Sequence, residues 1–212
     1  MVVKPAHGEQ GLGVAVGLRS VEALQSAIAG ARGCGDPVLI EQAVVGVDLR
    51  MVLIDFRVVA CAVRKGPSVV GDGQSSVAEL IALHSARRAA ATSGASRVPL
   101  DAETRRCVRA ACYEIEDVLP SGETLVVRRA ANVHTGGTIH DVTREVSPAL
   151  IEVAERAARV LDVPVLGLDL IVPSILGSAY WILEANERPG LANHEPAPTA
   201  ARFIDFLFPE SA

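Results

Sequence analysis

Apolar positions along the chain recur in two periods, and the places where the period switches mark out the elements. Met1-Val2-Val3 reads as a strand beginning on the first residue, and Val14 to Leu18 reads as a second strand beyond a glycine-rich loop. Ser20 is placed to cap a helix, with Glu22 in its first turn and Leu24, Ala27, Ile28 and Ala31 as its stripe, until Gly33 and Gly35 stop it. Val38-Leu39-Ile40 is the next strand. Leu49 to Ile54 and Arg57 to Val63 flank Asp55-Phe56, a two-residue hairpin connection. Gly71-Asp72-Gly73 marks a turn, and Ser76 with Glu79 has the spacing of a capping box ahead of Val77, Leu80, Ile81 and Leu83. Ala89 to Ser96 reads as a loop, and Asp101 as the cap of a helix carrying Val108, Ala111 and Ile115. Leu125-Val126-Val127 is a strand, and Asn132 to Gly137 a polar Gly-Gly loop. Ser147-Pro148 starts a helix in the preferred order of cap then proline, with Leu150, Val153, Ala157, Val160 and Leu161 as its expected buried face. There is no internal repeat.

Composition narrows the function classes. The 212 residues carry 20 Lys and Arg against 25 Asp and Glu, a net charge of −5, so a binder of nucleic acid driven by its phosphate backbone is not expected. The longest apolar stretch, Val163 to Val172, is broken by Gly167 and Asp169 and is far shorter than the roughly 20 residues a bilayer needs. With no leader pattern at Met1-Val2-Val3-Lys4-Pro5, the expected location is cytoplasmic, without a membrane partner. Cys34, Cys61, Cys107 and Cys112 have no CxxC spacing and are expected as buried, reduced thiols. A buried-pattern strand at residue one also implies that a segment normally precedes it.

The most informative segment is Val165 to Val172 followed, after a turn-rich stretch, by Tyr180 to Asn186. A hairpin symmetric about Leu176 and Gly177 sets Ile171 against Ile182 and, two residues outward, Asp169 against Glu184. Asn186 joins that face while Trp181, Leu183 and Ala185 point to the other. Two facing carboxylates repel, and a divalent cation that takes oxygen ligands removes the penalty, Mg²⁺ first and Mn²⁺ as an alternative. The competing reading is a hairpin edge whose acids pair with arginines.

His7-Gly8-Glu9-Gln10-Gly11-Leu12-Gly13 has the spacing GxxGxG, the reverse of the dinucleotide fingerprint, and a strand follows it, which excludes a Rossmann loop. Such a loop between strands can fold over phosphates, with Lys4 carrying positive charge to them, or be a plain glycine-rich hairpin.

Lys4-Pro5 with that loop, Leu39-Ile-Glu41-Gln42 with Gly46-Val-Asp48-Leu-Arg50, Gly167-Leu-Asp169 and Glu184-Ala-Asn186-Glu-Arg188-Pro-Gly190 occur in the order seen in ATP-grasp ligases, which the chain resembles over nearly its whole length. Val69 to Gly73 and Ala131 to Thr138 with Asp141-Val-Thr143 look like the cyanophycin synthetase group. The closing Glu184 to Thr199 is similar to the N-acetylglutaminylglutamine synthetases.

The resemblance implies an α+β, ATP-grasp fold in which two subdomains clamp the nucleotide, with its N-terminal part truncated. Residues 1–45 would belong to the small clamping subdomain and 46–212 to the large one. It implies that Lys4 holds the α- and β-phosphates, that Gly8, Gly11 and Gly13 cover them, and that Glu41 and the backbone from Gln42 to Val44 meet adenine. Asp48 would accept the ribose hydroxyls, and Asp169, Glu184 and Asn186 would hold Mg²⁺. Arg50, Arg64, Arg128 and Asn132 would lie near the transferred phosphate or the acid substrate, and Arg188, Asn193 and His194 near the amine. The implied activity joins a carboxylate to an amine on amino acid or short peptide substrates, through an acyl phosphate and at the expense of ATP. The alternative is a catalytically incomplete remnant that binds nucleotide or a partner. Self-association, or a need for a missing N-terminal segment, is expected in either case.

Overall fold

A computed structural model of the chain describes residues 1–7, 11–191 and 198–211. In chain order its strands and helices are β1 (Val2–Pro5), β2 (Ala15–Val16), α1 (Val21–Arg32), β3 (Val38–Glu41), β4 (Val47–Ile54), β5 (Arg57–Lys65), β6 (Ser68–Val70), α2 (Val77–Ala91), α3 (Ala102–Arg109), β7 (Thr124–Val126), β8 (Thr138–Asp141), α4 (Pro148–Leu161), β9 (Leu166–Val172), β10 (Trp181–Asn186) and α5 (Thr199–Leu207). Their contacts divide the chain into two compact units, Met1–Ala43 with Lys65–Thr138, and Val44–Arg64 with Ile139–Ala212. Residues 65–138 group with the N-terminal segment. Among the described residues no helix is long and apolar enough to cross a membrane.

The first unit holds a three-stranded sheet in the order β2-β1-β3 and the separate pair β6-β7. Ser20 caps α1 through the Ala23 amide at 3.1 Å, and Ala31 buries the helix against Val3, Ala15 and Leu18. Val77, Leu80 and Ile81 of α2 join Val108, Leu119 and Leu125 in a second apolar cluster. Both halves of the capping box form, with the Ser76 amide donating to Glu79 at 2.8 Å and the Glu79 amide to Ser76 at 3.3 Å. Two helix boundaries differ from expectation. Helix α2 runs on to Ala91 into the stretch read as a loop, and α3 stops at Arg109, leaving Ala111 and Ile115 outside it.

The second unit is built on a five-stranded sheet, β10-β9-β4-β5-β8. The β4–β5 turn is the expected two-residue one, with Asp55 and Phe56 both at positive φ, 54° and 59°. Alternation gives β4 and β9 one apolar face: Leu49, Met51, Leu53, Leu166, Leu168, Leu170 and Val172 are buried together with Leu150, Ala154 and Ala158 of α4. The helix face is narrower than its apolar pattern suggested. Val160 and Leu161, in the last turn, are 79% and 50% exposed. The opposite face of the sheet presents Asp48, Arg50, Arg64 and Asp169.

The cysteines split into two classes, which corrects the expectation of four buried thiols. Cys61 and Cys107 are buried and Cys34 and Cys112 exposed, because the first pair faces packed elements and the second lies past helix ends. Burial, then the Asp141 carboxylate, pushes the Cys61 thiol up to about 12, and burial with Glu103 raises Cys107. An aromatic disulfide reagent at pH 8 is therefore expected to titrate two thiols in the native chain and four after denaturation. Rapid reaction of all four in the native chain would contradict this packing.

Candidate functional site

The polar face of the five-stranded sheet concentrates charge because the apolar face claims every second residue. Asp48 on β4 lies directly opposite Arg64 on β5, and Arg50, two residues further on, lies opposite Asp169 on β9. The side chains meet as the register demands. Arg50 Nη1 donates to Asp169 Oδ1 at 2.7 Å, Arg64 Nε to Asp48 Oδ1 at 2.8 Å, and Arg64 Nη2 reaches Asp169 Oδ2 at 3.1 Å. Asp169 is thus held on both oxygens, and its side chain is only 6% exposed. The room for this comes from Gly167: a Cβ there would lie 2.3 Å from Arg50 Nη2 and 3.0 Å from Pro189 Cβ. Burial raises the Asp48 carboxyl above its ordinary range in spite of Arg64. Burial opposes the charge on Arg64, but Asp169 and Asp48 outweigh it and raise its pKa.

Glu184 extends this face onto the edge strand β10, where it pairs directly with Asp169, and Asn186 pairs with Gly167. That is the expected outer register. The inner half differs: Ile171 pairs with Trp181 and Ile182 with Leu170, and a bulge between Ile182 and Glu184 absorbs the extra residue. Among the described residues Glu184 has no ion-pair partner, and Asn186 Oδ1 accepts from the Arg188 amide at 2.8 Å. No three His, Cys, Asp or Glu side chains converge as a metal cluster among the described residues. The donor set still suits a hard cation: two carboxylates and an amide oxygen project from one face, and the three acids Asp48, Asp169 and Glu184 exceed the two arginines by one negative charge. The arginine pairing weighed as the rival reading is present at Asp169 and absent at Glu184.

In the first unit Lys4 Nζ lies 2.9 Å from Glu41 Oε2, a half-exposed pair across β1 and β3. Gly11 and Gly13 both adopt left-handed backbone, φ 73° and 70°, which explains glycine at each. A Cβ on Gly11 would come within 3.2 Å of Asn132 Cβ, so Gly11 lies beside Asn132. Asn132 Oδ1 accepts from the His134 amide at 2.8 Å, and its carbonyl accepts from the Gly137 amide at 2.9 Å. Arg128 is fully buried. Its Nη1 donates to Asp101 Oδ1 at 2.5 Å and to Thr104 Oγ1 at 2.9 Å, which fastens it to the first turn of α3. Gln42 is exposed, Val44 half-buried, and the Arg188 side chain 90% exposed. Gly8, Asn193 and His194 lie outside the described residues.

Sequence reasoning left out the residues that hold these groups. His84 Nε2 lies 3.2 Å from the Gly136 carbonyl and Arg88 Nη2 donates to the Gly137 carbonyl at 2.9 Å, so α2 anchors the Asn132 loop. Asp101 acts in the same supporting way and carried a signal, as a helix cap, and Gly167 was marked only as part of the Gly-Leu-Asp motif; His84 and Arg88 depend on contacts 52 and 49 residues apart.

The chain is 31% identical over 222 residues to the cyanophycin synthetase of Trichormus variabilis, with 99% of this chain and 25% of that protein covered. It is 28% identical over 228 residues to the glutathione biosynthesis bifunctional protein GshAB of Streptococcus thermophilus, covering 99% of this chain and 30% of that one. Among solved structures, a bifunctional glutathione synthetase from Pasteurella multocida matches 99% of this chain and 30% of its own with a TM-score of 0.62 at 24% identity. D-Alanine–D-alanine ligase from Bacillus anthracis matches 99% and 53% with a TM-score of 0.55 at 13% identity. No family model matches. The chain spans about a quarter of the length of the curated relatives it matches first.

Truncating Asp169 to Ala leaves Arg50 and Arg64 beside an emptied position, Arg50 being largely buried, and is expected to cost roughly 3–5 kcal/mol in urea unfolding at pH 7. Glu184→Gln, at an exposed site, is expected to stay within about 0.5 kcal/mol. Equal losses in the two variants would contradict the network described.

Proposed function

We propose that this chain, a member of the ATP-grasp superfamily, is the nucleotide- and metal-holding portion of an ATP-dependent ligase that joins a carboxylate to an amine. The observation that carries the reading is the sheet register that puts Asp169, Glu184 and Asn186 on one face beside Arg50, Arg64 and Asp48. Mg²⁺ at the three oxygen donors would neutralise phosphate charge, which is most of what phosphoryl transfer asks of a protein.

The chain's own residues then divide the work. Lys4 leaves Glu41 for the α- and β-phosphates, and the loop of Gly8, Gly11 and Gly13 covers them with backbone N–H groups. Glu41 and the backbone from Gln42 to Val44 hold adenine, and Asp48 accepts the ribose hydroxyls. Arg50, with one guanidinium edge on Asp169, adds positive charge beside the transferring phosphate. Asn132 orders the loop that faces the glycines, and Arg128 acts from the interior, through Asp101 and Thr104. Arg188, Asn193 and His194 border the amine.

The substrate carboxylate would attack the γ-phosphorus, breaking its bond to the bridging oxygen and releasing ADP; the amine would then add to the acyl carbon, and loss of phosphate and a proton would leave the amide. No protein nucleophile is called for, in keeping with the high pKa of the buried thiol Cys61. The names of the relatives support amino acid or peptide substrates, and the closing Glu184 to Thr199 supports an N-acetylglutaminylglutamine synthetase-like pair.

Calorimetric titration with a non-hydrolysable ATP analogue, with and without Mg²⁺, tests the reading. Metal-dependent binding is expected in the parent chain, with a loss of tenfold or more, about 1.4 kcal/mol, in Glu184→Gln. Absence of binding in both would leave a fold without the function.

A further inference from the structure

We propose that Arg64 is a positioning residue that couples the cation site at Asp169 to Asp48, and not a group that touches the reacting phosphate. The inference rests on the reading of this sheet face as the nucleotide and metal site, and it assigns Arg64 a different task from Arg50 on the same face. Arg50 commits one guanidinium edge to one carboxylate, Asp169 Oδ1 at 2.7 Å. Arg64 commits two edges to two carboxylates, Nε to Asp48 Oδ1 at 2.8 Å and Nη2 to Asp169 Oδ2 at 3.1 Å.

Strand order dictates the difference. Strands β5 and β9 both flank β4, so Arg64 faces Asp48 directly and reaches Asp169 on the diagonal across β4. The planar guanidinium presents donors on separate edges at fixed angles, so a single side chain can span both acids without bending. Arg64 has Nε and Nη2 each committed to a different carboxylate, whereas Arg50 commits Nη1 alone; exposure does not separate the two, since both side chains are largely buried, at 20% and 10%.

The consequence has a definite sign. A cation arriving at Asp169 competes with Arg64 for that carboxylate and drives the guanidinium toward Asp48. Neutralising Asp48 does the reverse: Arg64 falls back entirely on Asp169, and the cation binds more weakly there. Asp48, which does not ligate the metal, therefore acts on the cation at Asp169 through Arg64.

Mn²⁺ binding followed by electron paramagnetic resonance, with no nucleotide present, reads this coupling in four chains: the parent, Asp48→Asn, Arg64→Met and the double variant. Asp48→Asn is expected to weaken Mn²⁺ at least about twofold in the parent and to leave it unchanged in the Arg64→Met background, the size being the lower end for groups in one ion-pair network. The same loss in both backgrounds, or none in the parent, would overturn the proposal. Arg64→Lys, which grips one carboxylate at a time, replaces Arg64→Met if circular dichroism shows the latter unfolded.

A second arm needs no ligand, and so separates this proposal from the wider reading. In the ligand-free chain the Arg64 Nε–H signal in ¹⁵N spectra should exchange slowly with water, and both Asp48→Asn and Asp169→Asn should shift it. If no chain binds Mn²⁺ but both shifts occur, the functional reading fails while the bridge stands. If either variant leaves the signal in place, Arg64 is not the bridge.

Discussion

A carboxylate with its side chain 6% exposed needs a reason to stay charged, and Asp169 has two, Arg50 and Arg64. Taking an ion out of water costs several kcal/mol, and paired guanidiniums offset that only when the geometry is good. Everything that supplies the geometry is backbone: the register of β4 against β9 brings Arg50 opposite Asp169, the register of β4 against β5 brings Arg64 opposite Asp48, and Gly167 leaves the space the Arg50 guanidinium fills. The charged face is therefore a consequence of the apolar one. The packing of Leu168 and Leu170 with Leu150 and Ala154 fixes the pleat, and a slip of one residue would turn the acids into the core.

The same logic separates the positions of the hairpin. Strand β9 lies between β10 and β4 in the sheet, so Asp169 is buried and spent on arginines. Strand β10 is an edge, so Glu184, its direct partner, stays exposed. One acid is pre-organised and the other available. A face that kept both acids fully paired would have no charge left for a cation, and a face that kept neither paired would be disordered by repulsion.

What could be read from the sequence follows the range of the interactions. Ser20, Ser76, Asp101 and Ser147 were legible as caps because a cap bonds an amide two or three residues away. The Asp55-Phe56 turn and the pairing of Asp169 with Glu184 were legible because a hairpin carries its own symmetry. The inner register of that hairpin was not, since the bulge between Ile182 and Glu184 leaves no mark in the apolar pattern. Nor were the arginine partners of Asp169, because Arg50 stands 119 residues away and no local rule makes β4 and β9 neighbours. Nor were the partners of Arg128, which is expected near the transferred phosphate or the acid substrate and is buried and fastened to Asp101 and Thr104.

The central claim is that the Asp169 face receives a metal–nucleotide complex. A crystal structure of the chain grown with Mg²⁺ and a non-hydrolysable ATP analogue tests it most directly. The account predicts a cation about 2.0–2.1 Å from oxygens of Asp169 and Glu184, with phosphate oxygens completing its shell. A nucleotide bound elsewhere, with Glu184 facing only water and both arginines still closed on Asp169, would contradict it.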